Sequence, residues 1–172
     1  MKRTTMVVWL FIFCLSMDPN LYVNAADGSQ SLGMFQDWSA AAYTDGNHSG
    51  CYIVSVPKSE KGKYTKRGDV YVLVTRSPSI GAGIVSLHAG YPFGEDAEVS
   101  VNIDGDEMIL FTDKETAWAY EGDDKLFIQK MRNGKKMIVV GFSKRGTKTT
   151  DTYSLFGFTQ AYETILEHSQ CK

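Results

Sequence analysis

Val99, Val101 and Ile103 alternate with Ser100 and Asn102, and the run passes directly into Asp104 and Gly105. Alternation with a period of two puts one apolar face inward on a half-buried strand. Asp-Gly supplies the positive-φ positions of a two-residue hairpin turn. Residues 98–103 and 106–111 are therefore predicted to pair as a hairpin, and a hairpin needs further strands or a helix to cover its apolar face. The rest of the chain has the same punctuation: short runs of Val, Ile, Tyr and Thr broken by Gly, Pro, Asn and Asp, which is the pattern of an antiparallel β protein. Further strands are predicted at 38–43, 51–56, 70–76, 84–89, 116–120, 137–143 and 149–155. The run Val70, Tyr71, Val72, Leu73, Val74 is apolar on both faces, as suits the middle of a two-layer sandwich or a strand under a helix.

Two helices interrupt the strands. In residues 159–169, Phe158, Ala161, Tyr162 and Ile165 follow helical spacing while Gln160, Glu163, Thr164 and Glu167 fall on the other face. Thr159 is the expected N-cap. Residues 124–132 are bracketed by Asp123 and Asp124 at the start and by Asn133 and Gly134 at the end, which are helix start and stop signals.

The N-terminus bounds the compartment. Lys2 and Arg3 precede an apolar run over 6–15, and Val23, Asn24, Ala25 form a small-residue site; together these read as a secretory signal peptide, residues 1–25, cleaved before Ala26. The apolar run is too short for a bilayer, which takes roughly 20 residues, so no integral membrane segment is expected after cleavage. Residues 26–34 read as a flexible leader and 35–172 as one domain. Cleavage removes Lys2, Arg3 and Asp18 and takes the net charge from −2 to −3. A surface so close to neutral does not suggest nucleic acid, which calls for clustered Lys and Arg. Cys51 and Cys171 are the two cysteines left. In an oxidising compartment an even pair reads as a disulfide, with two buried free thiols as the alternative.

Catalytic and cofactor signals are missing. The chain has three histidines, His48, His88 and His168, and lacks a GxSxG elbow, because the glycine after Gly141 and Ser143 falls at position 146. CxxC, HExxH and paired-His spacings are absent, as are glycine-rich nucleotide loops, so no metal and no cofactor is expected. Asp104, Asp106 and Glu107 lack the remaining ligands of a calcium loop. The basic stretches 58–67 and 144–148 hold eight Lys or Arg residues and read as solvated hairpin tips rather than a phosphate-binding patch. Arg67, Gly68, Asp69 spells a short cell-adhesion tripeptide, read as turn chemistry before a strand.

The segment from Gly146 through Thr149, Thr150, Asp151, Thr152 and Tyr153 to Phe158 resembles the signature of the invasion-associated locus B family. Cys51 and Tyr52, Asp104 and Gly105, the triplet Ala117, Trp118, Ala119, and Asn133 with Gly134 follow in family order. The resemblance spans residues 36–171. It implies an immunoglobulin-like antiparallel β-sandwich with one short internal helix and a C-terminal helix, in an exported envelope protein of alphaproteobacterial type. In some members it implies a link to host-cell invasion. The family defines no catalytic residues to carry over.

Asp151 alternates with Tyr153 and Leu155 on the apolar side of its strand, and a buried carboxylate needs donors or a cation. Thr149, Thr150, Trp118 and Lys144 are the expected sources, in a structural polar knot. The sequence reading is thus a non-enzymatic protein of the periplasm, outer membrane or medium that binds another protein or an envelope component. Arg145, Thr147, Thr150, Asp151, Tyr153 and Trp118 are its candidate binding residues. The competing reading is a periplasmic enzyme, for which a cleft joining Asp151 to His88 would speak; a structural or stress-related role is the third.

Overall fold

A computed structural model describes residues 29–81 and 83–172. The expected signal peptide lies outside the described residues. Eleven strands and two helices follow in the order β1 (Ser29–Phe35), β2 (Trp38–Asp45), β3 (His48–Ser55), β4 (Ser59–Gly62), β5 (Tyr71–Arg76), β6 (Ile84–His88), β7 (Glu98–Ile103), β8 (Asp106–Asp113), β9 (Thr116–Trp118), α1 (Asp124–Asn133), β10 (Lys136–Phe142), β11 (Lys148–Ser154) and α2 (Phe158–Glu167), with a 3-10 turn at Ser169–Cys171. The fold is mainly β with an internal and a C-terminal helix, as expected.

All strands among the described residues belong to one antiparallel sheet in the order β1-β2-β3-β5-β6-β9-β8-β7-β10-β11-β4. Its two layers are halves of one sheet curled over a shared core. Val72, Val74, Val85 and Leu87 from one half and Val99, Val101, Met137, Val139 and Tyr153 from the other form a single buried cluster. The curl follows from the chain between β3 and β4. Ser55 still pairs with Val72 on β5, whereas Ser59 pairs with Thr152 on β11. Pro57 lies between them and has no N–H to donate to a ladder. The Lys58 amide already donates to the Thr152 carbonyl at 2.7 Å. The start of β2 closes the same seam, where the Trp38 indole donates to the Ser154 carbonyl at 3.0 Å.

The β7–β8 hairpin has the predicted two-residue turn: Ile103 pairs with Asp106, and Asp104 and Gly105 have φ of 50° and 109°. The Asp104 carboxylate accepts from the amides of Lys135 and Lys136 at 2.6 and 3.2 Å, so its oxygens fasten the hairpin to the start of β10.

Three sequence expectations change. The leader read at 26–34 is strand from Ser29 onward, paired along β2 through a bulge between Ser31 and Gly33. A strand forms there because β2 offers it a ready ladder and the core takes up Leu32 and Phe35, a tertiary effect that local composition does not carry. The strand β4, Ser-Glu-Lys-Gly, likewise exists only because β11 presents an edge. Thr159 does not cap α2: Gly157 occupies the cap position, and the Thr159 hydroxyl donates to the Arg132 carbonyl at 3.1 Å.

The buried stripe of α2 is Phe158, Ala161, Tyr162 and Ile165, the face read from the spacing. The helix packs on β1, β2 and β3, with Phe158 edge-on to Trp38 at 4.8 Å. It delivers Cys171 to Cys51, and the two form a disulfide across a Cα separation of 5.6 Å. His168 stands beside it, with Nδ1 at 3.8 and 3.7 Å from the two sulfurs.

Candidate functional site

On β11, Thr149, Asp151 and Tyr153 point inward and are buried, while Thr150, Thr152 and Ser154 face outward. Asp151 therefore meets the core as the alternation required, yet its partner is none of the expected four. Arg67, in the loop after β4, donates both terminal nitrogens to the two Asp151 oxygens at 2.7 Å each. Its Nε donates to the Ala89 carbonyl at 2.7 Å. The two side chains are only 4% and 5% exposed. The guanidinium lies between the rings of Tyr64 and Tyr91, 5.6 and 5.1 Å from their centroids, within range of cation–π attraction. The Tyr91 hydroxyl shares a 2.7 Å hydrogen bond with Thr149 Oγ1.

The electrostatics are those of a closed pair. Burial by itself lowers the pKa of Arg67, but the hydrogen bonds and charge of Asp151 more than offset it and the net shift is upward. Burial raises the Tyr91 and Tyr153 hydroxyls above the ordinary tyrosine range. This is the polar knot anticipated at Asp151, with a different cation. A bidentate fork fits a carboxylate better than a lysine does, but nothing local in the sequence singles out Arg67, which lies 84 residues away. The burial of Arg67 also removes the adhesion reading of Arg67, Gly68, Asp69, since its guanidinium is not on the surface.

Above the knot lies an open cleft of about 690 Å³. One wall is the loop 63–68, another the segment 90–92, and the third the β10–β11 turn over 143–147. The turn is held by the Ser143 and Thr147 backbones at 3.0 Å and docked by the Lys144 amide on the Pro92 carbonyl at 2.8 Å. Gly90 makes the second junction possible: its φ is +69°, and a Cβ there would come within 2.5 Å of the Gly68 carbonyl oxygen. The Gly68 amide donates to the Gly90 carbonyl at 2.9 Å across this close approach.

The two basic stretches, expected as solvated hairpin tips in preference to a phosphate-binding patch, are brought by the fold to one rim. Lys63 and Lys66 from the first and Lys144 and Arg145 from the second line the cleft, and no Asp or Glu does. Glu60 approaches Arg67 at 3.4 Å. None of the four cations takes part in an ion pair among the described residues.

Of the six candidate residues, Arg145 and Thr147 line the cleft and Asp151 lies in the knot beneath it. Tyr153 is core, 1% exposed. Thr150 is outward, paired between Val140 and Lys61. Trp118 is on the outer face elsewhere, paired with Phe111, whose ring is 5.4 Å from that of Tyr120. The missed residues are Lys63, Tyr64, Lys66 and Arg67. Asp151 and His88 do line a common cavity, but it measures about 10 Å³, the space of a single water. His88 itself stacks on Tyr71 at 4.9 Å and meets Glu115 at 3.5 Å.

The fold and site thus define a mainly-β, disulfide-closed domain whose buried Arg–carboxylate pair carries an open basic cleft. The model of the family described as invasion associated locus B (IalB) protein matches residues 38–166; the chain belongs to this family. A search of curated proteins found no match. Among solved structures, the crystal structure of invasion associated protein b from Bartonella henselae is similar at 14% identity and a TM-score of 0.55, covering 80% of this chain and 95% of that one. At that identity the likeness is one of fold.

Proposed function

We propose that this protein is an exported, non-enzymatic component of the cell envelope that acts by binding, through the cleft between the loop 63–68 and the β10–β11 turn. One observation carries the reading: the buried carboxylate that a catalyst would use is spent on Arg67, whereas the cations above it face an open space without acidic partners. The site is built to attract a partner and lacks a positioned base.

Export is supported by the N-terminal pattern and by the Cys51–Cys171 disulfide, since such bonds persist in oxidising compartments. Among the described residues, no helix is long and apolar enough to cross a membrane. Cleavage before Ala26 leaves three residues ahead of β1, a start that suits a strand rather than a long leader. The association with invasion in the name of the Bartonella henselae protein makes contact with a host cell a role to test in the same way.

The test is sedimentation of the purified mature protein with washed cell envelopes, compared with the Lys144→Glu/Arg145→Glu variant. Retention that falls with salt and is lost in the variant, at unchanged melting temperature, supports binding through the cleft. Equal retention of the two proteins overturns it. Intact mass of the periplasmic fraction, starting at Ala26 and rising on reduction and alkylation, checks export and the disulfide together.

A further inference from the structure

We infer that the cleft is a site for a phosphorylated sugar, the phosphate held by Lys63, Lys66, Lys144 and Arg145 and the ring lying against Tyr64. The inference rests on the binding reading above and names its ligand class. Charge sets the first constraint. Four cations on one rim with no carboxylate in the walls leave a positive field that a single carboxylate does not balance. A phosphate monoester carries about −1.5 to −2 at neutral pH and three acceptor oxygens.

Rigidity sets the second. The two cationic walls are anchored independently of any ligand: Arg67 is tied to Asp151 and to the Ala89 carbonyl, and Lys144 is docked by its amide on Pro92. The cations project from a frame already in place, which lowers the ordering cost of binding.

Shape and chemistry set the third. A volume of about 690 Å³ lies in the range of small-molecule sites, roughly 300–1,000 Å³. Tyr64 is 38% exposed and offers an aromatic face at the mouth. The hydroxyls of Thr65, Ser143 and Thr147 also line the walls and can exchange hydrogen bonds with a polyhydroxyl ring.

The ring-borne phosphate has two possible sources, a soluble sugar phosphate and a lipid headgroup. Calorimetric titration with fructose 1,6-bisphosphate, glucose 6-phosphate, glucose and glucuronic acid reads the chemistry. The expected result is saturable binding of both phosphates, tightest for the bisphosphate, with glucose and glucuronic acid at least ten-fold weaker. The Lys63→Ala/Lys66→Ala and Lys144→Ala/Arg145→Ala variants should each weaken the bisphosphate at least ten-fold while melting like the parent. Tyr64→Ala should weaken glucose 6-phosphate more than inorganic phosphate. Flotation with phosphatidylinositol 4-phosphate vesicles, competed by the bisphosphate, identifies a lipid source; binding of the soluble phosphates with no flotation identifies a soluble one.

The inference is overturned if no phosphate binds saturably, or if both double variants bind as the parent does. It is equally overturned if a single-stranded oligonucleotide binds and the bisphosphate does not displace it. Cleft-dependent retention on envelopes that the bisphosphate fails to compete would leave the binding reading standing and remove the phosphate assignment alone.

Discussion

Asp151→Ala is the substitution whose cost follows most directly from the structure. It deletes both acceptors of the Arg67 fork and leaves the guanidinium, 4% exposed, with the Ala89 carbonyl and the distant Glu60 oxygen as its remaining partners. Removing one member of a buried ion pair costs about 3–5 kcal/mol, most of it the penalty of the stranded charge. In a domain of this size each kcal/mol moves the melting temperature by roughly 2–4 °C, so a fall of about 6–20 °C is expected. The assay is thermal and urea unfolding followed by circular dichroism, with the disulfide kept oxidised. The double variant Arg67→Met/Asp151→Leu should recover much of the loss, because apolar side chains of similar volume often replace a buried pair at little cost. Unfolding of Asp151→Ala within about 1 kcal/mol of the parent, or a double variant that loses the sum of the two single losses, would refute the stranded-charge account.

Three other outcomes follow. Reducing Cys51–Cys171, which closes a separation of 120 residues, should cost about 5 kcal/mol in the chain-entropy model, read as a drop in the urea midpoint with and without reductant. Tyr153 has its hydroxyl pKa raised by burial, so the stability it contributes is full below the unfolded tyrosine value of about 10 and is lost as pH rises above it. Tyr153→Phe should accordingly move the alkaline unfolding midpoint upward, while the parent and variant share the same acid limb. Gly90→Ala puts a side chain at φ +69° and a Cβ within 2.5 Å of the Gly68 carbonyl oxygen. It should lower stability by about 1–3 kcal/mol and loosen the loop 63–68, visible as faster amide exchange there and at Tyr91.

The strands with strong alternation were legible because a half-buried strand writes its two faces directly into neighbouring residues. The turn at Asp104 and Gly105, the buried stripe of α2 and the inward setting of Thr149, Asp151 and Tyr153 all rest on such local periodicity. The strands β1 and β4 were not legible, since Ser29–Phe35 opens on a polar run without clear alternation and Ser59–Gly62 has no apolar residue, and both owe their form to the ladders of β2 and β11. The candidate site divides in the same way. A carboxylate on an apolar face announced that it needed a partner, but the identity of that partner depends on how far the sheet curls.

By itself, then, the sequence determined an antiparallel β domain, the faces of its main strands and helices, the cysteine pair and the burial of Asp151, because each is a matter of composition or short-range period. Only the tertiary structure decided that Arg67 answers Asp151 and that Lys63 and Lys66 share a cleft with Lys144 and Arg145. These residues are separated by more than seventy positions of chain, and their meeting is fixed by the crossover at Pro57 and the close approach of Gly68 and Gly90, where long-range packing rather than local preference sets the geometry.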